Sequence, residues 1–202
     1  PEGKEIFIKL LKNADIVVEN FRPGQMEKFG LSYEVLKEIN PKVILASISG
    51  FGQTGRYSKK PGYDVIAQGM GGLMSVTGEE GRAPVKAGYS MADIGSGMWA
   101  IIGILLALNN RNQTGNGQWV DASLLDTMIS WQTFLATGFL ATGENPKPLG
   151  NAHQSIVPYQ AFESSDGYFN IGVGNDSLWE KMCNFLNLQD LINHPNYKTN
   201  ND

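Results

Sequence analysis

The sequence is poor in the residues that build disulfides and metal sites. Its 202 residues include one cysteine, Cys183, and two histidines, His153 and His194. A single cysteine excludes an internal disulfide and fits a reducing compartment. So few histidine and cysteine ligands also exclude a structural zinc site. We therefore expect no metal centre of that kind, while a magnesium site made only of carboxylates stays open.

Positive charge and long apolar runs are also scarce. Lys and Arg number 16 against 20 Asp and Glu, for a net charge of −4, and no basic cluster is interleaved with aromatic residues. This pattern argues against a nucleic-acid partner. The longest apolar stretch, residues 98–108, is shorter than the roughly 20 residues that span a bilayer. It predicts a buried helix, and we expect no membrane partner.

The order of the first segments predicts an α/β fold. A helical pattern at 2–12 precedes a β-branched strand at 15–19, and a helix beginning near Ser32 precedes a strand at 43–49. Such alternation is typical of a parallel sheet with flanking helices. Ligands bind such sheets at the carboxyl ends of the strands. The loops at 20–24 and 50–55 would both lie on that edge, so we look for a binding site there.

The rest of the chain continues with helices and a hairpin. We expect a long helix at 91–110, a strand at 118–122 and a helix from Ser123 to about residue 140. The segments 159–162 and 168–173 flank Ser-Ser-Asp-Gly, which indicates a β-hairpin. A helix at 175–186 would begin with Asp176 or Ser177 as its cap. Because the chain opens on Pro1 at a helix start, we expect the native protein to begin earlier.

Asp126 admits two interpretations. Ser123-Leu124-Leu125-Asp126 stands where a strand gives way to a helix, and Ser-x-x-Asp at that place resembles a capping box, in which the acid helps to satisfy free N–H groups. On spacing alone the capping role is the commoner one. A carboxylate at a helix start is also held ionised by N–H donors and the helix dipole. It could then attack a thioester carbonyl as a nucleophile.

The loop after the first strand also has two interpretations. In Asn20-Phe21-Arg22-Pro23-Gly24, Arg22 could pair with a phosphate and Phe21 could stack on a base. An ordinary surface loop with a solvated Arg is the alternative. The glycine-rich turn at 50–55 lacks the Gly-Lys-Ser/Thr ending of a phosphate-binding loop. His153 lies in a loop with no assigned task, and Cys183 is expected in the core.

Five segments in order resemble the class III CoA transferases, which include formyl-CoA and carnitine CoA-transferases. They are ADIVVENFRPG (14–24), FGLSYEVLKEINPKVILASISGFGQTG (29–55), PGYDVIAQGMGGLMSVTG (61–78), TGNGQWVDASLLD (114–126) and DGYFNIGVGND (166–176). The resemblance implies an α/β fold with a Rossmann-like large domain, a smaller α+β domain and an interlocked homodimer. It divides the chain into part of the large domain (1–60), a helical continuation carrying the nucleophile (61–148) and the start of the small domain (149–202).

The resemblance also implies the chemistry and the site. Asp126 falls on the family's nucleophile, which carries the acyl group and then CoA between two carboxylic acids. CoA and acyl-CoA are substrates, and neither a metal nor a permanently bound cofactor is expected. The location would be cytoplasmic, or mitochondrial if a transit peptide precedes Pro1. The expected CoA-binding residues are Asn20, Phe21, Arg22, Lys28 (where many relatives carry Arg), Lys60, and Tyr63 and Asp64 near the reacting thioester.

Two departures narrow the expected activity. Related racemases carry Gly-His-Asp where this chain has Gly62-Tyr63-Asp64, and loss of the proton-transferring His counts against an acyl-CoA racemase or epimerase. The segment 150–162 looks closer to the succinyl-CoA:glutarate CoA-transferases than to the formyl-CoA transferases. This favours a dicarboxylate such as succinate as donor or acceptor. A CoA-binding module without catalysis, in which Asp126 only caps a helix, is the remaining alternative.

Overall fold

The computed structural model describes residues 2–200 and has the predicted α/β architecture. Five strands and ten helices alternate along this part of the chain. The strands are β1 (Ile16–Glu19), β2 (Ile44–Ser49), β3 (Trp119–Ser123), β4 (Tyr159–Ser164) and β5 (Gly167–Gly172). The helices are α1 (Glu2–Leu11), α2 (Gln25–Lys28), α3 (Tyr33–Ile39), α4 (Asp64–Met70), α5 (Leu73–Val76), α6 (Met91–Thr114), α7 (Leu124–Ser130), α8 (Thr133–Thr142), α9 (Asp176–Phe185) and α10 (Gln189–Ile192).

A three-stranded parallel sheet organises the first part of the chain. Its strand order is β1-β2-β3, with Ile16 paired with Ile44 and Ser49 paired with Ser123. The central strand β2 is buried at nearly every residue, as expected where helices cover both faces of a parallel sheet. Because the strands run in parallel, their carboxyl ends lie at one edge.

Two apolar clusters hold the helices to this sheet. Leu11, Leu36 and Leu45 belong to the first cluster, against which side chains of α1 and α3 pack. The second cluster joins α4, α6 and α7 through Ala67, Ala92, Leu124 and Met128. Two of its four buried members are alanines, which let α4 and α6 approach each other closely beside the sheet edge that carries the candidate site.

The prediction of one continuous helix at 123–140 is wrong, because the structure has two helices separated by Trp131 and Gln132. α7 ends at Ser130 and α8 begins at Thr133, whose φ is 38°. A β-branched residue at positive φ cannot continue an α-helix without strain. The Gln132 side-chain amide donates to the Gly71 carbonyl, which fixes the chain at the break.

Helix α6 is longer and less buried than its sequence predicted. It covers Met91–Thr114, yet Ile94, Met98, Ile101 and Leu106 are each more than half exposed. The helix is apolar around its circumference, but β2, β3, α4 and α7 cover only part of it. Among residues 2–200 it is also the one helix long and apolar enough to cross a membrane. This is weak evidence for a membrane span, because core helices of soluble proteins pass the same test.

The chain divides into two compact units. The first comprises the residues up to Ser75 together with Val85–Pro146, and the second comprises Val76–Pro84 with the residues from Lys147 onward. The predicted domain limits at residues 60 and 148 concern the whole protein and stay a prediction.

The second unit contains the predicted hairpin. β4 and β5 pair in antiparallel fashion from Tyr159↔Gly172 to Ser164↔Gly167. The cap predicted for the following helix was wrong. Asn175, rather than Asp176 or Ser177, precedes α9, and its side-chain oxygen accepts from Leu178 N at 3.0 Å. Asn is as good a cap as Asp or Ser, so composition alone could not choose among three adjacent residues.

Candidate active site

The loop after β1 is fixed beside the end of β2. Asn20 Nδ2 donates to the Ile48 carbonyl at 2.7 Å, and Phe21 N donates to Glu19 Oε2 at 2.7 Å. Glu19 is buried, so the acid at the end of β1 anchors the loop that follows it. These bonds place the loop at the carboxyl edge of the sheet, as its position after a parallel strand predicted.

A pair of glycines brings a second loop to the same edge. A Cβ added at Gly50 would lie 2.5 Å from Gly62 Cα and 3.0 Å from Gly62 N. Backbone therefore packs directly on backbone here, which only glycine allows. Leu125 N donates to the Gly50 carbonyl at 3.2 Å. The end of β2 thus contacts both the segment before α4 and the first turn of α7.

These loops enclose a cavity of about 330 Å³, which we call the strand-end pocket. Six residues expected from the resemblance to contact CoA line it: Asn20, Phe21, Arg22, Lys60, Tyr63 and Asp64. Ser49, Gly50, Asp93 and Leu124 contribute to the same lining. Residues as far apart in the chain as Asn20 and Leu124 are therefore brought to one place.

Lys28 and Asp126 do not line the strand-end pocket. Lys28 is an exposed residue at the end of α2. Asp126 is also exposed and lies two residues beyond Leu124, which does line the pocket. It lines instead a groove of about 350 Å³ beside β3, where Trp99 and Leu106 of α6 supply apolar side chains. We call this second cavity the β3 groove.

Asp126 is held by the serine that caps its helix. Ser123 Oγ accepts from Asp126 N at 2.9 Å and donates to Asp126 Oδ2 at 2.7 Å. The predicted cap at Ser123 is thus present, but the acid plays a different part from that in a capping box, where it would accept from the cap's own backbone N–H. The carboxylate is oriented by a hydroxyl and remains exposed. This geometry is compatible with capping and with nucleophilic attack.

Asp121 is a second carboxylate in the β3 groove that sequence reasoning missed. Its Oδ2 accepts from Gln53 N at 2.8 Å, which ties the 50–55 loop to β3. Burial raises the pKa of the Asp121 carboxyl, the charge of nearby Asp126 raises it further, and the bond from Gln53 N opposes both. The available signal in the sequence was a carboxylate within the predicted strand at 118–122.

Asp64 secures the beginning of α6. Its Oδ1 accepts from Ala92 N at 2.8 Å and Asp93 N at 3.4 Å, and its Oδ2 accepts from Gln68 Nε2 at 2.6 Å. Gln68 is fully buried, and its Oε1 accepts from Ala87 N. Asp64 therefore acts as a distant cap for a helix that begins 27 residues later. Burial and the Asp64 charge raise the pKa of the Asp93 carboxyl.

We expect Asp64→Ala to lower the free energy of unfolding of the full-length protein by about 2 kcal/mol, because it removes a charged acceptor from two N–H groups of α6. Urea denaturation at fixed protein concentration measures this change. Asp93→Asn is the matched control. Since the fold disfavours the ionised form of Asp93, neutralising it should not lower stability. Equal stability of Asp64→Ala and the wild type would contradict the capping role.

Lys60, His153 and Cys183 are the remaining residues that the sequence analysis singled out. Arg56 and Lys60 both lie over the Tyr57 ring, at 4.7 and 4.4 Å from its centroid, so Lys60 is partly held by an aromatic face. His153 packs edge-on against Tyr159, with ring centroids 5.2 Å apart. Cys183 is buried as predicted, and burial raises the pKa of its thiol. Within residues 2–200 no group of three or more His, Cys, Asp or Glu could hold a metal ion.

A family model described as CoA-transferase family III matches residues 1–202. The chain belongs to CoA-transferase family III. It is 42% identical over 200 residues to the succinate–glutarate CoA-transferase of Agrobacterium fabrum, covering 99% of this chain and 50% of that protein. It is 40% identical over 200 residues to the human succinyl-CoA:glutarate CoA-transferase, covering 99% and 46%.

A further relative and a solved structure extend the comparison. A succinyl-CoA:mesaconate CoA-transferase of Haloarcula marismortui is 40% identical over 194 residues, covering 94% of this chain and 49% of that protein. The crystal structure of a CAIB/BAIF family protein from Brucella suis matches with a TM-score of 0.85 and 45% identity, covering 98% of this chain and 52% of that one. The chain spans about half the length of the curated relatives it matches. The recognition of the family from its motifs is thus confirmed.

Proposed function

We propose that the protein to which this chain belongs is an acyl-CoA:carboxylate CoA-transferase that uses a dicarboxylate such as succinate as donor or acceptor. Membership of family III carries the proposal, and relatives at about 40% identity are named for succinate–glutarate and succinyl-CoA:mesaconate transfer. The exposed, serine-held carboxylate of Asp126 supports it, since such a group can attack a thioester.

In the proposed reaction, an Asp126 oxygen attacks the acyl-CoA carbonyl. The C–S bond breaks, CoA leaves as a thiolate and a mixed anhydride remains. The thiolate then attacks the Asp126 carbonyl carbon, which releases the donor acid and forms an aspartyl-CoA thioester. The acceptor carboxylate attacks that thioester and expels the thiolate. The thiolate finally attacks the acyl carbon of the new anhydride, giving the new acyl-CoA and free Asp126.

The strand-end pocket is the proposed site for part of the CoA molecule. Asn20, Phe21 and Arg22 line it from the loop after β1, and Tyr63 lines it from the segment before α4. The thioester end would pass over the start of α7 to reach Asp126, two residues beyond the pocket lining. Lys60 adds a cation to this pocket, whereas Lys28 would contact CoA only outside it. Asp64 would contribute indirectly, because its bonds to Ala92 N and Asp93 N hold the start of α6, and with it Asp93, at the pocket.

The assembly and location are proposed on the same basis. The exposed apolar side chains of α6 support burial of this helix against further chain, which suits the expected interlocked homodimer. The three parallel strands are compatible with part of a Rossmann-like domain. The proposed cytoplasmic location is supported only by the single cysteine, which fits a reducing compartment.

The covalent intermediate tests the proposal directly. The full-length protein is incubated briefly with succinyl-CoA, digested and examined by mass spectrometry. We expect a CoA adduct on the peptide that contains Asp126, and its loss when excess glutarate is added. Absence of an adduct with several acyl-CoA donors, while CoA still binds, would refute the transferase mechanism in favour of a non-catalytic CoA-binding module.

A further inference from the structure

Strand β2 carries two buried serines that differ in their hydrogen bonding. Ser47 and Ser49 stand two residues apart, so their side chains lie on the same face of the sheet, and they are 1% and 4% exposed. Ser47 Oγ accepts from Trp119 Nε1 at 2.9 Å. Ser49 Oγ is buried and has no hydrogen-bond partner within residues 2–200. A buried hydroxyl without a partner is costly, so a partner for Ser49 is expected.

The position of Ser49 indicates where that partner comes from. Ser49 lines the strand-end pocket at the carboxyl end of β2. Its register partner across the sheet is Ser123, the residue that holds Asp126. A molecule bound in the pocket could therefore reach the Ser49 hydroxyl while its reactive end approaches the start of α7.

The pocket lining indicates what kind of group would bind there. Two cationic side chains, Arg22 and Lys60, line the pocket together with two acidic ones, Asp64 and Asp93, so the formal charge of this set is zero. Such a lining gives little preference for a ligand of either charge. The exposed ring of Phe21 supplies apolar surface in the same pocket. An uncharged chain that alternates methylene groups with carbonyl groups suits this combination.

We propose that the Ser49 hydroxyl donates a hydrogen bond to a carbonyl of the acyl-pantetheine arm of CoA. The proposal rests on the proposed function in taking acyl-CoA as the ligand. The carbonyl belongs either to a pantetheine amide or to the thioester. Both are neutral hydrogen-bond acceptors. Ser49 would thus contact the substrate without itself forming or breaking a covalent bond.

Two alanine variants of the full-length protein test this. For Ser49→Ala we expect the affinity for CoA or the KM for succinyl-CoA to worsen roughly threefold to tenfold, as loss of one neutral hydrogen bond implies. The midpoint of thermal unfolding without ligand should not fall, because the hydroxyl has no hydrogen-bond partner in the described part of the chain. For Ser47→Ala the midpoint should fall, because Trp119 Nε1 loses its acceptor, while the affinity stays unchanged.

Calorimetry with free CoA and steady-state kinetics with succinyl-CoA separate the two carbonyl sources. Weaker binding of free CoA assigns the pantetheine amide, whereas a raised KM for succinyl-CoA with unchanged CoA affinity assigns the thioester. If Ser49→Ala changes neither quantity more than Ser47→Ala does, the proposal is overturned. A lower unfolding midpoint with normal substrate affinity would also overturn it, by giving Ser49 a partner in the protein itself. In both cases a normal Asp126 adduct would leave the proposed function standing.

Discussion

Asp126→Asn is expected to reduce CoA transfer by at least about 10³-fold, because an amide cannot form the anhydride on which the proposed double displacement depends. The aspartyl-CoA adduct should disappear with it. Stability should change little, since the side-chain oxygen of Asn can accept from Ser123 Oγ as the carboxylate does. Steady-state transfer of CoA from succinyl-CoA to glutarate, beside urea denaturation of the same preparations, measures both effects.

The control for this variant is Asp176→Asn. Asp176 is also an exposed carboxylate in the first turn of a helix, α9, but it lies in the second unit and has no part in the proposed reaction. Its replacement should leave transfer unchanged. If Asp126→Asn kept transfer within tenfold of the wild type, Asp126 would be no more than part of a helix cap. A stable but inactive Asp126→Asn protein separates catalysis from capping.

The position of the candidate site could be predicted because it depends on strand direction. Two β-branched runs separated by helices determine a parallel sheet, and the residues after each run must then share an edge. Asn20, Arg22 and Gly50 are placed together by that rule alone. The rule needs no knowledge of side-chain packing. This explains why the loops that the sequence analysis placed at one sheet edge do lie together in the fold.

Long-range side-chain contacts could not be predicted in the same way. The bonds from Ala92 N and Asp93 N to Asp64 join segments about 28 residues apart, and no local pattern announces them. The bond from Gln53 N to Asp121 spans 68 residues. The exposure of α6 was missed for another reason: apolar composition indicates that a helix seeks burial, not which part of the chain supplies the cover.

Gly50→Ala is expected to lower the free energy of unfolding of the full-length protein by about 3 kcal/mol, the upper part of the range for overpacking, because the added methyl would meet Gly62 backbone rather than a movable side chain. The affinity for CoA should fall as well. Gly62 immediately precedes Tyr63 and Asp64, so separating the two glycines displaces one wall of the strand-end pocket. Denaturation at fixed protein concentration and calorimetry with CoA measure the two effects.

Gly88→Ala provides the comparison for this variant. A Cβ at Gly88 would meet no other atom of residues 2–200 within 4 Å, so the stability of this variant should stay within about 0.5 kcal/mol of the wild type. Wild-type stability in Gly50→Ala would show that the two loops can separate freely. The pocket would then not depend on their contact. A destabilised Gly50→Ala protein with weakened CoA binding would instead show that the glycine pair sets the distance between the end of β2 and the segment that carries Tyr63 and Asp64. The pair would then shape the pocket although it contributes no functional group.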